Sequence, residues 1–275
     1  MRSVQWRAMI RVLLLGVAIT GIHSIAQAEW YAGGYGGLST SGSITDATMP
    51  LRGQRIAEQQ FPQANEPLNS SGRGTLTQTF KTSDISLKNS AIFGGKVGYF
   101  FTEEKLSWLG VELEAFTTNP KIKPQTLTTT QDIQYQPNTP APAAQCPPQN
   151  IINPQPNCPA SVLNRSSLTL QESSLRVTTV AFNLIARYPG QFFQPYAGVG
   201  AGAFYFSSSN GSIQGRQFRP GLNLLAGAKV RVTDEWGLFA EGKYNLANVG
   251  NLDPTFGLSG MYSIFHLVAG VAYHF

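Results

Sequence analysis

Ser263 and His266 are the nearest approach to a nucleophile and a base in this chain. They stand three residues apart in β-like text, where alternation sends them to opposite faces and breaks a nucleophile–base pair. Gly198-x-Gly200-x-Gly202 has the spacing of a nucleotide loop. It lies within a strand-like block with no helix after it, so it fails the context such a loop requires. No G-x-S-x-G, H-E-x-x-H or Walker sequence occurs. Cys146 and Cys158 are the only cysteines, and two thiols without a nearby histidine make at best half a zinc site. These residues predict no catalytic group, no metal and no cofactor. What remains is a set of charges inside apolar text: the bases Lys96, Arg187, Lys229, Arg231 and Lys243, and the acids Glu112, Glu114 and Glu241. Groups of both signs placed together can neutralise one another or line a path for ions.

The composition restricts what could position them. Charged residues are 13% of 275, roughly half the share usual in a soluble domain, while 28 glycines and 11% aromatics are high. Mean hydropathy is −0.11, which excludes a bundle of membrane helices, and no stretch has the 18 or more apolar residues of a spanning helix. The formal charge is +5, but Arg2, Arg7 and Arg11 lie in the first 28 residues; without them 17 bases face 15 acids. No run of Lys and Arg is left to grip phosphates, so nucleic acid is excluded as a partner. Residues 1–28 place three arginines before an apolar stretch and then Ala26-Gln27-Ala28. That is the pattern of a secretory signal peptide, with cleavage expected between Ala28 and Glu29 and a mature domain over 29–275. Export to an oxidising compartment makes a Cys146–Cys158 bridge plausible.

Eight strand-like blocks follow: Trp30–Ser39, Ala91–Phe101, Leu106–Phe116, Leu175–Tyr188, Gln194–Phe206, Arg219–Thr233, Trp236–Leu246 and Ser263–Phe275. Short connections alternate with long ones, two of them very long, about 40–90 and 117–172. In an up-and-down meander this sorts all tight turns to one end and all loops to the other, the asymmetry of a transmembrane barrel. Each clear block has one apolar face and one small or charged face. Phe182, Leu184 and Tyr188 oppose Asn183 and Arg187, and Leu222, Leu224 and Val230 oppose Asn223, Lys229 and Arg231. The Gly-rich blocks 30–39 and 194–206 have no clear parity.

A soluble barrel would turn the apolar faces inward and a membrane barrel outward. Aromatics at the turn ends (Phe101, Tyr188, Phe192, Phe193, Trp236), the terminal Phe275 and the scarcity of charge favour the second. The fold expected is all-β: an eight-stranded antiparallel up-and-down transmembrane β-barrel with long extracellular loops. Eight strands enclose a lumen that side chains can fill. Because a buried unpaired charge is expensive, the eight charged residues are expected to pair inside rather than line an open pore.

Trp30-Tyr31-Ala32-Gly33, Pro195-Tyr196-Ala197-Gly198-Val199-Gly200-Ala201-Gly202, Ala226-Gly227-Ala228-Lys229, Trp236 through Tyr244 and the final Phe275 follow in an order that resembles the small eight-stranded outer-membrane barrels of the OmpA-barrel, OmpX and opacity-protein type. The resemblance implies a Gram-negative outer membrane, contact with its lipid and lipopolysaccharide, and insertion by an assembly machinery that reads the terminal strand ending at Phe275. The role expected from the long loops and the absent enzyme motifs is non-enzymatic, structural or surface-interaction, antigen- or adhesin-like, with a host or surface ligand held by the loops. A small passive porin-like channel is the alternative; a lipid-modifying enzyme and a soluble ligand-binding barrel rank lower. The loops are longer than is usual in that family, and no cell-wall-binding domain follows the eighth block. Residues 124–164 carry one charge, Asp132, among many Pro, Gln, Asn and Thr, and hold both cysteines. Two readings stay open for this tract: a presented surface tip, or a disordered spacer with a protective bridge.

Overall fold

Along Ser173–Arg187 every second side chain is buried, and the two sets of side chains exchange character part-way. After Ser173 the buried set holds Leu175 and Val177, and toward the far end it holds Asn183 and Arg187 on either side of Ile185. The outward set begins with Ser174, Arg176 and Thr178 and continues with Val180, Phe182, Leu184 and Tyr188. A strand that is polar-in and apolar-out at one end, and the reverse at the other, fits a wall passing from lipid into water.

The structure, a computed structural model, describes residues 29–62, 74–101, 106–138, 140–146 and 157–275. The expected signal peptide, Ala28 included, lies outside the described residues. The elements are β1 (Glu29–Thr48), α1 (Pro50–Gln60), β2 (Gly74–Thr82), β3 (Ile85–Ser86), β4 (Ser90–Phe100), β5 (Leu109–Thr118), β6 (Lys121–Ile122), β7 (Gln125–Pro137), β8 (Ala160–Leu170), β9 (Ser173–Arg187), β10 (Phe193–Ser209), β11 (Gly215–Arg231), β12 (Trp236–Val249) and β13 (Ser259–His274). Strands β1, β4, β5, β9, β10, β11, β12 and β13 form consecutive antiparallel pairs, and β13 pairs back to β1. The barrel is therefore closed and has no free edge, as a sheet in hydrocarbon must be. Its eight strands are the eight sequence blocks, and Glu29, Phe275 and the described tight turns at 188–193 and 232–235 gather at one rim.

The outward face carries an apolar band around the barrel wall. Phe182, Leu224 and Leu267 are 57%, 42% and 56% exposed, whereas Lys229 and Glu241 are 6% and 3% exposed. Aromatic pairs mark the turn-side edge, with Trp30 on Tyr99 at 5.1 Å and Trp236 on Tyr273 at 5.0 Å between centroids. Tyr205 and Phe218, 4.6 Å apart, mark the other edge.

The register between β1 and β4 explains the glycine-rich text. Tyr31 lies opposite Gly98, Gly33 opposite Lys96, Tyr35 opposite Gly94 and Gly37 opposite Ile92. In these four pairs each large inward side chain faces a residue with no side chain, so the narrow lumen fills without overlap. A side chain at Gly98 would run into the Tyr31 ring. Gly98→Val is expected to destabilise the folded barrel by about 1–3 kcal/mol through overpacking, read as a lower urea midpoint in lipid vesicles. An unchanged midpoint would refute this large-on-small packing.

Above the band the strands run on, and the interior becomes apolar. Ile44, Leu175, Val177, Phe204, Phe206, Val249, Tyr262 and Ile264 form a core there together with Met49, Phe80, Ile85, Leu127 and Leu258. The described parts of the two long tracts close over it, and here the structure corrects the sequence reading. They contain ordered elements rather than connecting loop alone. Residues of β2 and β7 pair from Gly74↔Pro137 to Thr82↔Thr129, and β7 pairs with β8 from Gln125↔Leu170 to Tyr135↔Ala160. Helix α1 starts on Pro50, whose missing N–H costs nothing at that position. It packs Ala57, with Phe61 beyond its end, against Ile133, Tyr135 and Val162. The Arg52 guanidinium sits between the rings of Phe80 and Phe256, 6.0 and 5.7 Å from their centroids. The disordered-spacer reading therefore fails for the described part of 124–164: alternate Leu127, Thr129, Gln131, Ile133 and Tyr135 are buried under the helix.

At the base of this platform, Glu172 takes ion pairs from Lys121, at 2.7 Å, and from Lys88. These two lysines hold its carboxyl down at about 2, so the exposed clasp persists to strongly acid pH and loosens only as pH falls through that value.

Candidate functional site

Parity turns every second residue of the wall strands into the lumen, and the shear of the barrel stacks the polar ones among them in layers. Nearest the turn-side rim, Arg187 forks onto Glu29: Nη1 donates to Oε1 at 2.8 Å, and Nη2 bonds Oε2. His274 Nδ1 is 3.1 Å from the same carboxylate, and His274 Nε2 is 3.0 Å from Lys229 Nζ. The Arg187 guanidinium lies over the Phe100 ring, 3.7 Å from its centroid.

One layer up, Lys96 Nζ is 2.8 Å from Glu241 Oε2 and 3.3 Å from Glu112 Oε2. Lys243 Nζ is 3.0 Å from Glu241 Oε1 and also binds Glu114. Three tyrosines point hydroxyls at these carboxylates. Tyr31 donates to Glu112 at 2.7 Å, Tyr35 to Glu114 at 2.5 Å and Tyr196 to Glu241 at 2.7 Å. Asn183 Nδ2 adds a 3.0 Å bond to Glu112.

An amide chain leads onward from the charged layer. Asn223 Nδ2 donates to Asn183 Oδ1 at 2.9 Å, and Asn245 Nδ2 to Asn223 Oδ1 at 2.8 Å. Asn245 Oδ1 is then the acceptor for His266 Nε2 at 2.8 Å, which makes His266 the Nε2–H tautomer. Its Nδ1 therefore accepts from the Ser39 hydroxyl at 2.7 Å. Ser39, His266 and Asn245 thus form a serine–histidine–asparagine chain. All three are fully buried, and Ser39 Oγ is also 2.7 Å from Thr118 Oγ1. That arrangement has the connectivity of a nucleophile, base and orienting group, but it offers a substrate carbonyl no approach.

Of the sequence-derived set, Lys96, Glu112, Glu114, Arg187, Lys229, Glu241 and Lys243 are buried in the lumen. Arg231 is not brought into this cluster. As the last residue of β11 it is partly exposed, and its Nη2 donates to the Asp234 carbonyl in the water-facing turn at 2.6 Å. Its place in the charge balance is taken by Glu29, which the sequence reading treated only as the residue after a cleavage site. The lumen then holds four bases (Lys96, Arg187, Lys229, Lys243) and four acids (Glu29, Glu112, Glu114, Glu241). Tyr31, Tyr35 and Ser39 were missed because they lie in the glycine-rich first strand, whose parity the sequence left ambiguous. Ser263, which the sequence placed nearest to His266, instead has its Oγ 3.2 Å from Ser43 Oγ.

A cavity of about 20 Å³ lies among Tyr31, Lys96, Glu112, Arg187, Tyr196 and Lys229, room for about one water. At the opposite end of the molecule Cys146 and Cys158 are joined by a disulfide, with Cα atoms 5.6 Å apart. The interior of the loop it closes, 147–156, lies outside the described residues.

Residues 157–275 match the family of the outer membrane protein beta-barrel domain. No curated protein matches the chain. Among solved structures it is similar to Ail, the attachment invasion locus protein of Yersinia pestis, in complex with the heparin analogue sucrose octasulfate (12% identity, TM-score 0.40, 91% of this chain and 100% of that one). It is also similar to Neisserial surface protein A (12%, 0.38, 90% and 99%) and to OprG of Pseudomonas aeruginosa (12%, 0.40, 91% and 96%).

Proposed function

We propose that this outer-membrane β-barrel is a non-enzymatic surface-interaction protein, in which a sealed barrel carries a folded extracellular platform. The observation that supports this most directly is the ordered three-stranded sheet β2–β7–β8 with α1 packed beneath it. Its outer face carries Thr75, Thr77 and Thr79, then Thr126, Thr128, Thr130 and Gln134, then Ser167 and Thr169, all exposed. Chain ordering costs roughly 1–2 kcal/mol per residue, so a built surface of this size, distant from the membrane, is better suited to recognition than to spacing. The filled lumen and its balanced charges speak against the porin-like alternative, and the burial of Ser39 and His266 against a hydrolase. The terminal β13 and Phe275, whose N–H donates to Trp30 O at 3.0 Å, are the segment on which we expect the assembly machinery to act.

Two measurements test the reading. Refolded protein in a planar bilayer is expected to give no steady conductance; regular single-channel openings would establish the channel instead. Protease added to intact cells is expected to cut within 117–172 and leave the barrel protected. Cleavage confined to the turn-side rim would invert the topology and remove the platform from the cell surface.

A further inference from the structure

The change from lipid-facing to water-facing side chains runs on one line across β9, β10 and β11, and two arginines stand on that line. Ser207 is in register with Arg176 on one side and Arg216 on the other. Alternation points all three outward, and both arginines are exposed. With strands about 4.8 Å apart, the two arginines start roughly 10 Å from each other, close enough for both planar forks to converge on one phosphate. Among the described residues neither guanidinium has a hydrogen-bond or ion-pair partner. Glu172, just beyond the start of β9, is already taken by Lys88 and Lys121.

The next row toward the membrane is Thr178, Tyr205 and Phe218, with the two rings in contact. Below it the outward residues of β10 are small, Ala203 and Ala201, between Val180 and Phe182 on β9 and Pro220 and Leu222 on β11. A shallow, open depression lies there, lined by Ala201, Ala203, Phe218 and Pro220 among others. Read from water into lipid, this strip presents cations, a hydroxyl, aromatic rings and then an apolar depression, which is the order of groups in a phosphorylated lipid. The depression lined by Gly36, Leu38, Ala240, Gly242 and Leu267 differs. The two rows toward water from it, Thr40, Phe265 and Tyr244 and then Ser43, Ser263 and Leu246, hold no cation.

We infer that Arg176, Ser207 and Arg216 recognise the phosphate of a phosphorylated lipid in the outer leaflet, with an acyl chain in the depression below. The inference rests on the outer-membrane placement of the barrel and is independent of what the loop platform binds. The probe is bisphosphorylated lipid A, titrated into the detergent-purified folded barrel and read by native mass spectrometry. The parallel titrations use dephosphorylated lipid A and inorganic phosphate as a competitor. Wild type and the distant surface variant Arg55→Gln are expected to retain the phosphorylated lipid. Arg176→Gln/Arg216→Gln is expected to lose about tenfold or more in retention, as charge-assisted bonds are removed. Dephosphorylated lipid is expected to bind weakly and equally to all three. Equal retention by the double variant overturns the inference, and so does equal binding of phosphorylated and dephosphorylated lipid by wild type, which needs no variant. Displacement by inorganic phosphate would assign the row to a soluble anion and overturn the lipid. A failure of the outer-membrane reading would show separately, as loss of the heat-dependent gel shift of a closed barrel in the wild type itself.

Discussion

Lys243→Met is expected to destabilise the barrel by about 3–5 kcal/mol, the range for removing one partner of a buried charge cluster. Lys243 is fully buried, and its ammonium touches Glu114, Glu241 and the Tyr35 hydroxyl. Met has similar bulk and no charge, so the packing survives while four acids are left facing three bases. The measurement is the urea midpoint of protein folded into vesicles, followed by its heat-dependent gel shift. Adding Glu114→Gln is expected to restore part of the loss, because it removes the carboxylate that Lys243 had neutralised. Stability within about 1 kcal/mol of wild type for Lys243→Met alone would mean that water already solvates these carboxylates. The sealed lumen would then be wrong, and the channel reading would gain.

Phe182→Arg is expected to cost about 2–4 kcal/mol in vesicles, the range for a cation placed on the lipid face at mid-depth. Phe182 projects outward and is flanked in register by Leu113 on β5 and Ala201 on β10. Thr126→Arg on the outer face of the loop sheet serves as the comparison and is expected to change stability by less than about 0.5 kcal/mol. The contrast is informative because a water-facing Phe182 would gain from becoming charged. Equal tolerance of the two substitutions would place the barrel wall in water.

The polar loop strands show why part of the fold escaped the sequence. Thr75-Leu76-Thr77-Gln78-Thr79-Phe80 and Leu127-Thr128-Thr129-Thr130-Gln131-Asp132-Ile133 do alternate, but Thr and Gln sit on both faces. Composition then resembles loop, although Thr is a good strand residue because its branched side chain suits a pleated, half-buried surface. Only α1 and the apolar core beneath decide which face is buried. The lumen shows a different gap. Parity identified Lys96, Glu112, Glu114, Lys229, Glu241 and Lys243 as inward, but not that Lys96 would choose Glu241, 145 residues away. Glu29 and Ser39 stayed hidden because the large–small exchange of the first strand reads from sequence as plain glycine richness.

The amino-acid sequence by itself determined the eight wall strands, their up-and-down order and the orientation of their apolar faces. Each of these follows from two-residue alternation and loop length, which are local properties. The tertiary structure alone decided three things: the partners inside the lumen, the exclusion of Arg231 in favour of Glu29, and the folding of the described parts of both long tracts into one platform. Those depend on barrel closure, because closure sets how far each strand is staggered against the next, and stagger decides which side chains meet across the axis.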